Sequence, residues 1–131
     1  MHASMARAAS AYQEVQVTSR SPVELVVMLY DGAISSIAQA RAAMVARDLV
    51  TKRAAIDKAY AIVTHLQSTL SMDDGGEVAA SLDSLYTYVV DQIVQANTSL
   101  APAPLDDCLR VLRPLRDAWA SLASQQGADI R

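Results

Sequence analysis

Apolar residues recur along most of this chain at the spacing of three and four residues that is typical of an α-helix. Counted from Val26 at 100° per residue, a set of apolar positions that ends at Met44 falls within about 60° of one line, which is the stripe of an amphipathic helix. This stripe predicts a first helix over residues 22–45. Its later members are Leu29, Tyr30, Ala33, Ile37, Ala40 and Met44.

The residues in front of this stripe carry the signals of a helix start. Ser21 can cap the helix, Pro22 suits the first helical position, and Glu24 completes a Ser-x-x-Glu capping box. The apolar run at residues 25–30 would by itself also suit a buried strand. The cap before the run and the helical period after it favour a helix.

Three further stripes of the same period predict helices over residues 49–71, 77–98 and 104–124. The breaks between the helices are short, and short connections place consecutive helices side by side and antiparallel. Pro114 lies inside the fourth helix and is expected to kink it, because proline removes a backbone donor. The stripes consist of Leu49, Ile56, Ala59, Tyr60, Val63, Leu66 and Leu70, of Val78, Leu82, Leu85, Val89, Ile93 and Ala96, and of Leu105, Cys108, Leu109, Leu112, Leu115, Trp119 and Leu122.

We therefore predict an all-α fold, an antiparallel up-down four-helix bundle over residues 21–124. Residues 1–20 show no helical period, and Val15 and Val17 alternate with polar neighbours. We expect this segment to form an extended, flexible N-terminal arm. Residues 125–131 follow the last stripe, and we expect them to form a flexible C-terminal tail.

Composition agrees with this fold and excludes several classes of protein. The 131 residues suffice for one domain, and four Gly and four Pro are too few turn residues for an all-β fold. A net charge of −3 leaves no basic field for a phosphate backbone, so no nucleic-acid binding is expected. The longest apolar run has six residues, far fewer than the roughly 20 that span a bilayer, so no membrane insertion is expected. A single cysteine, Cys108, and the lack of an apolar signal region near the N-terminus indicate a cytoplasmic protein.

The sequence shows no catalytic or metal-binding pattern. A di-iron site in a helix bundle needs paired Glu-x-x-His motifs, whereas His65 is the one histidine outside the arm. The acidic turn at residues 73–76 lacks the alternating acids of a calcium loop. We therefore expect no enzymatic activity, no metal and no cofactor. A histidine phosphotransfer role for His65 is a disfavoured alternative, because Leu66-Gln67-Ser68 supply no Lys or Gly to hold or admit a phosphoryl group.

Apolar residues also occur well away from the stripes, where the outer faces of a bundle should be charged. Taken singly, such residues suit a broad core with scattered surface apolar side chains. Taken together, over several helices, they indicate a groove for a partner chain. Gly32, in the middle of the first helix, would let another helix or a bound chain approach closely. The candidate partner-binding residues are Met28, Ile62, Tyr88, Val90, Val94 and Val111 on the helices and Tyr12, Val15 and Val17 in the arm.

Several motifs, in order along the chain, resemble those of one known family. The most specific is the block from Ser21 to Ile34, which contains Met-Leu-Tyr-Asp-Gly-Ala-Ile. Over about residues 11–122, the chain resembles the flagellar secretion chaperones of the FliS family. Two positions depart from the family pattern, because Val15 stands where the family usually has Asn and Pro114 interrupts the last helix. The other matching segments are Tyr12-Gln13 with Val17, then residues 66–70, 75–79, 85–88, 96–97 and 115–119.

This resemblance implies a cytoplasmic chaperone that is not an enzyme. Such a protein binds the disordered C-terminal segment of flagellin in an apolar groove, about one to one, and thereby prevents premature polymerisation and keeps flagellin competent for export. It implies the flagellar export gate as a further partner, and a monomer or weak homodimer when free. We also expect the arm to lie over the partner site in the free protein. The alternative from another class is a structural or dimerising bundle, whose off-stripe apolar residues form a self-interface.

Overall fold

The computed structural model describes residues 21–130, with side chains as far as residue 126, and this part of the chain contains four α-helices and no strand. The all-α prediction is confirmed. The predicted arm at residues 1–20 lies outside the described residues. The helices are α1 (Pro22–Val45), α2 (Leu49–Ser68), α3 (Met72–Ser99) and α4 (Ala103–Ile130).

The helices form a closed ring in chain order. Within the described residues, α1 packs against α2 and α4, and α3 packs against the same two helices. The pairs α1–α3 and α2–α4 therefore lie diagonally across the bundle. Consecutive helices are antiparallel neighbours, which is the up-down arrangement that the short connections predict.

The first two helices begin at capped residues. The Ser21 hydroxyl accepts a hydrogen bond of 3.2 Å from the backbone N–H of Glu24. At the start of α2, the Asp48 carboxylate accepts one bond of 3.1 Å from the Thr51 backbone N–H and one of 2.6 Å from the Thr51 hydroxyl. These bonds stabilise the ionised carboxylate and lower the pKa of Asp48. Both caps satisfy donors that the first helical turn leaves free.

The helix ends agree less well with the predicted bounds. Helix α2 ends at Ser68 rather than residue 71, where the Ser68 and Thr69 hydroxyls donate to carbonyls of the last turn. Helix α3 includes an extra turn before Gly76, whose left-handed φ of 55° separates that turn from the regular helix beyond it. Helix α4 continues through Pro114 and on to Ile130, where a flexible tail at residues 125–131 was expected. The apolar stripe ends near residue 122, but a helix needs no apolar residues to continue and Ala and Gln favour it.

The core lies along the axis of the bundle and receives one face of each helix. Its largest fully buried side chains are Tyr30, Tyr86, Ile37, Ile93, Leu105 and Leu112. Five stripe positions that were expected in the core lie outside it. Leu49, Val78 and Leu122 are exposed near helix ends, where no neighbouring helix covers them. Tyr60 is exposed and Leu85 half-buried because both lie at the edges of their stripes.

Helix α1 is long and apolar enough to pass as a membrane span by length and composition alone, with a mean hydropathy of 1.3. The expectation of no membrane insertion rested on the shortness of the apolar runs. It overlooked this helix because alanines between its polar residues raise the mean hydropathy. Two of its charged residues pair with α4, since Arg41 contacts Asp106 at 2.6 Å and Arg116 contacts Asp31 at 2.7 Å. Its opposite face lies in the core, so α1 has the arrangement of a core helix in a bundle.

Candidate partner-binding surface

Hydrogen bonds between side chains set the register of α2 against α3. The Gln67 amide donates to the Asp83 carboxylate at 2.9 Å and to the Thr87 hydroxyl at 2.9 Å. Farther along, the Lys52 ammonium donates to the Asn97 amide oxygen at 2.7 Å. Because the two helices are antiparallel, these bonds place residues 56–60 of α2 opposite residues 90–94 of α3.

This register brings three apolar residues, Tyr60, Val90 and Val94, to the seam between the two helices, named here the α2–α3 groove. Tyr60 is 45% exposed and Val94 is 50% exposed. Val90 is half-buried and packs against the core, so it forms the floor of the groove rather than a free outer surface. The structure thus brings the candidates Val90 and Val94 together, one turn apart on the same helix.

A second apolar groove, named the α3–α4 groove, lies on the other side of α3 and consists of Leu85, Tyr88 and Val111. The Cys108 thiol donates to the Val89 carbonyl at 3.5 Å, which places residues 85–88 of α3 opposite residues 109–112 of α4. Tyr88 is 42% exposed, while Leu85 and Val111 are half-buried. The structure thus brings the candidates Tyr88 and Val111 to one edge of the bundle.

The candidates Met28 and Ile62 belong to neither groove. A Cβ atom at Gly32 would lie 3.2 Å from the Cδ1 atom of Ile62, so the side chain of Ile62 packs directly on α1. Of the two roles considered for Gly32, the structure shows close helix packing. Met28 is half-buried on α1. The candidates Tyr12, Val15 and Val17 lie outside the described residues.

A cavity of about 280 Å³, named the upper cavity, opens at the end of the bundle where α1 begins. Its walls are mostly apolar and come from all four helices. The sequence pattern did not indicate it, because the residues belong to separate stripes that meet only in the folded bundle. Its main lining residues are Val26, Leu66, Leu70, Val78, Ala79, Leu82, Tyr86 and Trp119.

Two tyrosines share a hydrogen bond beneath this cavity. The hydroxyls of Tyr30 and Tyr86 lie 2.6 Å apart. Burial raises the pKa of both tyrosines, so both hydroxyls stay protonated at neutral pH. Tyr86 is buried whereas Tyr88 is exposed, so the two tyrosines lie on different sides of α3.

The opposite end of the bundle carries a second pocket, named the basal pocket, which encloses about 340 Å³ and is lined by Met44, Arg47, Leu49 and Leu100. Leu49 is 57% and Leu100 56% exposed, while Met44 is buried. Sequence reasoning missed this site because its residues lie at helix ends and in connections. Leu49 was assigned to the core stripe.

The described residues offer apolar contact rather than reactive chemistry. Between residues 21 and 126, no group of three or more His, Cys, Asp or Glu residues is arranged to hold a metal ion. Burial raises the pKa of the Cys108 thiol to about 12, which makes it a poor nucleophile. His65 is exposed on α2.

Comparison with known proteins gives one consistent result. The family model described as "Flagellar protein FliS" matches residues 5–126. The chain is 42% identical over 113 residues to the flagellar secretion chaperone FliS of Vibrio cholerae, a match that covers 83% of each protein. It is 34% identical over 110 residues to FliSB of Pseudomonas aeruginosa, covering 84% of this chain and 87% of that relative. It is 33% identical over 111 residues to FliS of Salmonella typhimurium, covering 84% and 82%.

Proposed function

The chain belongs to the FliS family of flagellar secretion chaperones, and we propose that it binds the C-terminal segment of flagellin in the cytoplasm. Bound in this way, the segment cannot polymerise before export and stays unfolded enough to pass the export channel. The observation that carries the proposal is the pair of apolar grooves on either side of α3. Each groove exposes large apolar side chains, Tyr60 and Val94 in one and Tyr88 in the other, beside half-buried apolar residues.

The grooves suit an apolar, helix-prone chain that has no fold of its own. Ordering a disordered segment costs conformational entropy, and that cost consumes part of the contact energy. A partner that enters both grooves spreads its contacts over a long surface, which offsets the cost. One segment passing around α3 would occupy both grooves of one chaperone, which supports a stoichiometry of about one to one.

The chaperone acts by binding alone in this proposal, without catalysis. Burial of Cys108 and the exposed, isolated position of His65 support a role without covalent chemistry. Release then depends on competition or transfer to another protein, for which the flagellar export gate is the expected partner. A dimerising bundle that buries the grooves in a self-interface is the competing function.

The N-terminal arm has a place in this proposal as a cover for the apolar surface of the free protein. Residue 21 leads directly into α1, and Val26 of that first turn lines the upper cavity. A segment tethered there reaches the cavity at millimolar effective concentration, so weak contacts from Tyr12, Val15 and Val17 would suffice. Flagellin would then displace or rearrange the arm.

Charge substitutions in the grooves test the proposal. Val94→Asp in the α2–α3 groove and Tyr88→Asp in the α3–α4 groove should each weaken binding of the flagellin C-terminal segment at least tenfold in calorimetry. Both sites are exposed, so a charge there costs little folding free energy and thermal melting should stay close to that of the parent protein.

Two variants serve as matched controls for this experiment. Ala61→Asp places the same charge on the exposed outer face of α2 and should leave binding unchanged. Val89→Asp buries an unpaired charge in the core and should unfold the bundle. If the groove variants bind flagellin as well as Ala61→Asp does, the grooves are not the binding site.

A further inference from the structure

The basal pocket combines apolar walls with one positively charged group. Met44, Leu49 and Leu100 supply the apolar surface, and Arg47 supplies the guanidinium. A site of this composition suits a ligand whose anionic group lies directly beside an apolar side chain. The pocket lies outside the two grooves of the proposed function.

The charges around the pocket leave Arg47 available to an anion. Within the described residues, Arg47 forms no ion pair, while the nearby Asp48 carboxylate accepts both of its bonds from Thr51. Lys52 is buried and donates to the neutral amide of Asn97 rather than to a carboxylate. The exposed Arg47 guanidinium is thus free to pair with an anionic group of a partner.

The backbone gives an independent observation at the same place. Arg47 has a φ of 59° and Leu100 a φ of 55°, and these are the described non-glycine residues in the left-handed region. Glycine or asparagine usually occupies such positions after a helix, because a larger side chain is strained there. Both strained residues line the pocket. A need for these two side chains in binding a ligand explains why the strained backbone is kept, because strained residues cluster at binding sites.

The pocket continues the α2–α3 groove. Leu49 lies one turn before Lys52 on α2, and Leu100 lies one turn after Asn97 at the end of α3. The hydrogen bond that joins Lys52 to Asn97 therefore lies between the α2–α3 groove and the basal pocket. Lys52 is only 9% exposed, so a partner chain that follows the groove would pass over the contact between Lys52 and Asn97. From the level of Tyr60 to that of Leu49 is roughly 16 Å along the helix, which about five extended residues span.

We propose that the basal pocket binds the free carboxyl terminus of the exported chain. The terminal carboxylate contacts the Arg47 guanidinium, and the last apolar side chains contact Met44, Leu49 and Leu100. Arginine suits this role because its planar group can bind both carboxylate oxygens. The inference rests on the proposed function and adds that the chaperone recognises where its partner ends.

The test compares two forms of one peptide on the full-length chaperone. The C-terminal segment of flagellin from the same bacterium is synthesised as the free acid and as the carboxamide, which differ only in the terminal charge. The free acid should bind about tenfold more tightly than the carboxamide in calorimetry at low salt. In Arg47→Gln, both forms should bind with the weaker affinity.

Arg53→Gln is the matched control, because Arg53 is exposed on α2 one turn beyond Leu49 and does not line the pocket. This variant should keep the tenfold ratio between the two peptides. Equal affinity of the two peptides for the unmodified chaperone would overturn the inference and leave the proposed function intact. A ratio that persists in Arg47→Gln would also overturn it. If neither peptide binds, the proposed function itself fails. A concentration-dependent dimer in light scattering that Leu100→Asp abolishes would identify a second copy of the chain as the occupant instead.

Discussion

Two buried hydroxyls link helices that lie diagonally across the bundle. Tyr30 on α1 and Tyr86 on α3 extend across the axis of the bundle, with ring centroids 6.3 Å apart. Their hydroxyls share a hydrogen bond of 2.6 Å. Each hydroxyl is buried at low cost only because the other satisfies it.

Removing either hydroxyl should leave the other without its partner. Tyr30→Phe and Tyr86→Phe should each lower the free energy of unfolding by about 1–3 kcal/mol, because each variant leaves one buried hydroxyl unsatisfied. Urea denaturation measures both variants, and the double variant should cost less than the sum of the two. Strictly additive losses would show that the hydroxyls act independently.

At the scale of the element, the contact between α1 and α2 depends on a residue with poor helix propensity. Gly32 costs about 1 kcal/mol relative to Ala in a helix interior. A Cβ atom at this position would lie 3.2 Å from the Cδ1 atom of Ile62. The glycine therefore allows α2 to pack closely while Ile62 keeps its full length.

This account predicts that shortening Ile62 changes the effect of adding a methyl group at residue 32. Ile62→Val removes the Cδ1 atom that the new Cβ would meet. In that background, Gly32→Ala should raise the free energy of unfolding by about 0.5–1 kcal/mol, because only the gain in helix propensity remains. In the parent protein, the gain should be smaller or reversed.

Thermal or urea denaturation of the four proteins in this cycle provides the measurement. Flagellin affinity serves as the second readout and should be the same in all four, because the contact faces α2 rather than either groove. A loss of affinity in Gly32→Ala with unchanged stability would instead indicate that a bound chain approaches this glycine.

At the scale of the whole molecule, apolar surface is concentrated along α3 and at both ends of the bundle. The upper cavity lies where the arm joins α1, and the basal pocket lies where α1 meets α2 and α3 meets α4. A protein with this much apolar surface would tend to self-associate unless a segment of its own chain or a partner covers it. This distribution is the reason to expect a role for the arm.

Deleting residues 1–17 tests that expectation. The variant should bind an apolar dye such as ANS more strongly, or self-associate, because the upper cavity loses its cover. Its helices should melt as in the full chain, because the buried residues between Tyr30 and Leu112 form one core within the described part of the chain. Amide exchange of the full chain with and without the flagellin segment supplies the complementary measurement. Equal protection of the arm in both states would contradict its displacement by flagellin.

The sequence alone determined the helices and their order. Capping residues such as Ser21 and the helical period after it depend on local geometry, which each segment carries within itself. The short connections then permitted only antiparallel neighbours. Helix ends were less well determined, because α4 contains no residue that stops it near residue 124.

Only the tertiary structure decided which positions at the edges of the stripes are covered. The period of a helix shows in which direction a side chain points from its own axis, but not how far the neighbouring helix extends over it. Tyr60 and Leu85 therefore lie outside the core although they belong to apolar stripes. Ile62 belongs to no stripe, yet it packs on Gly32. The bond between Tyr30 and Tyr86 and both end cavities join residues from separate helices, so they exist only once the bundle has formed.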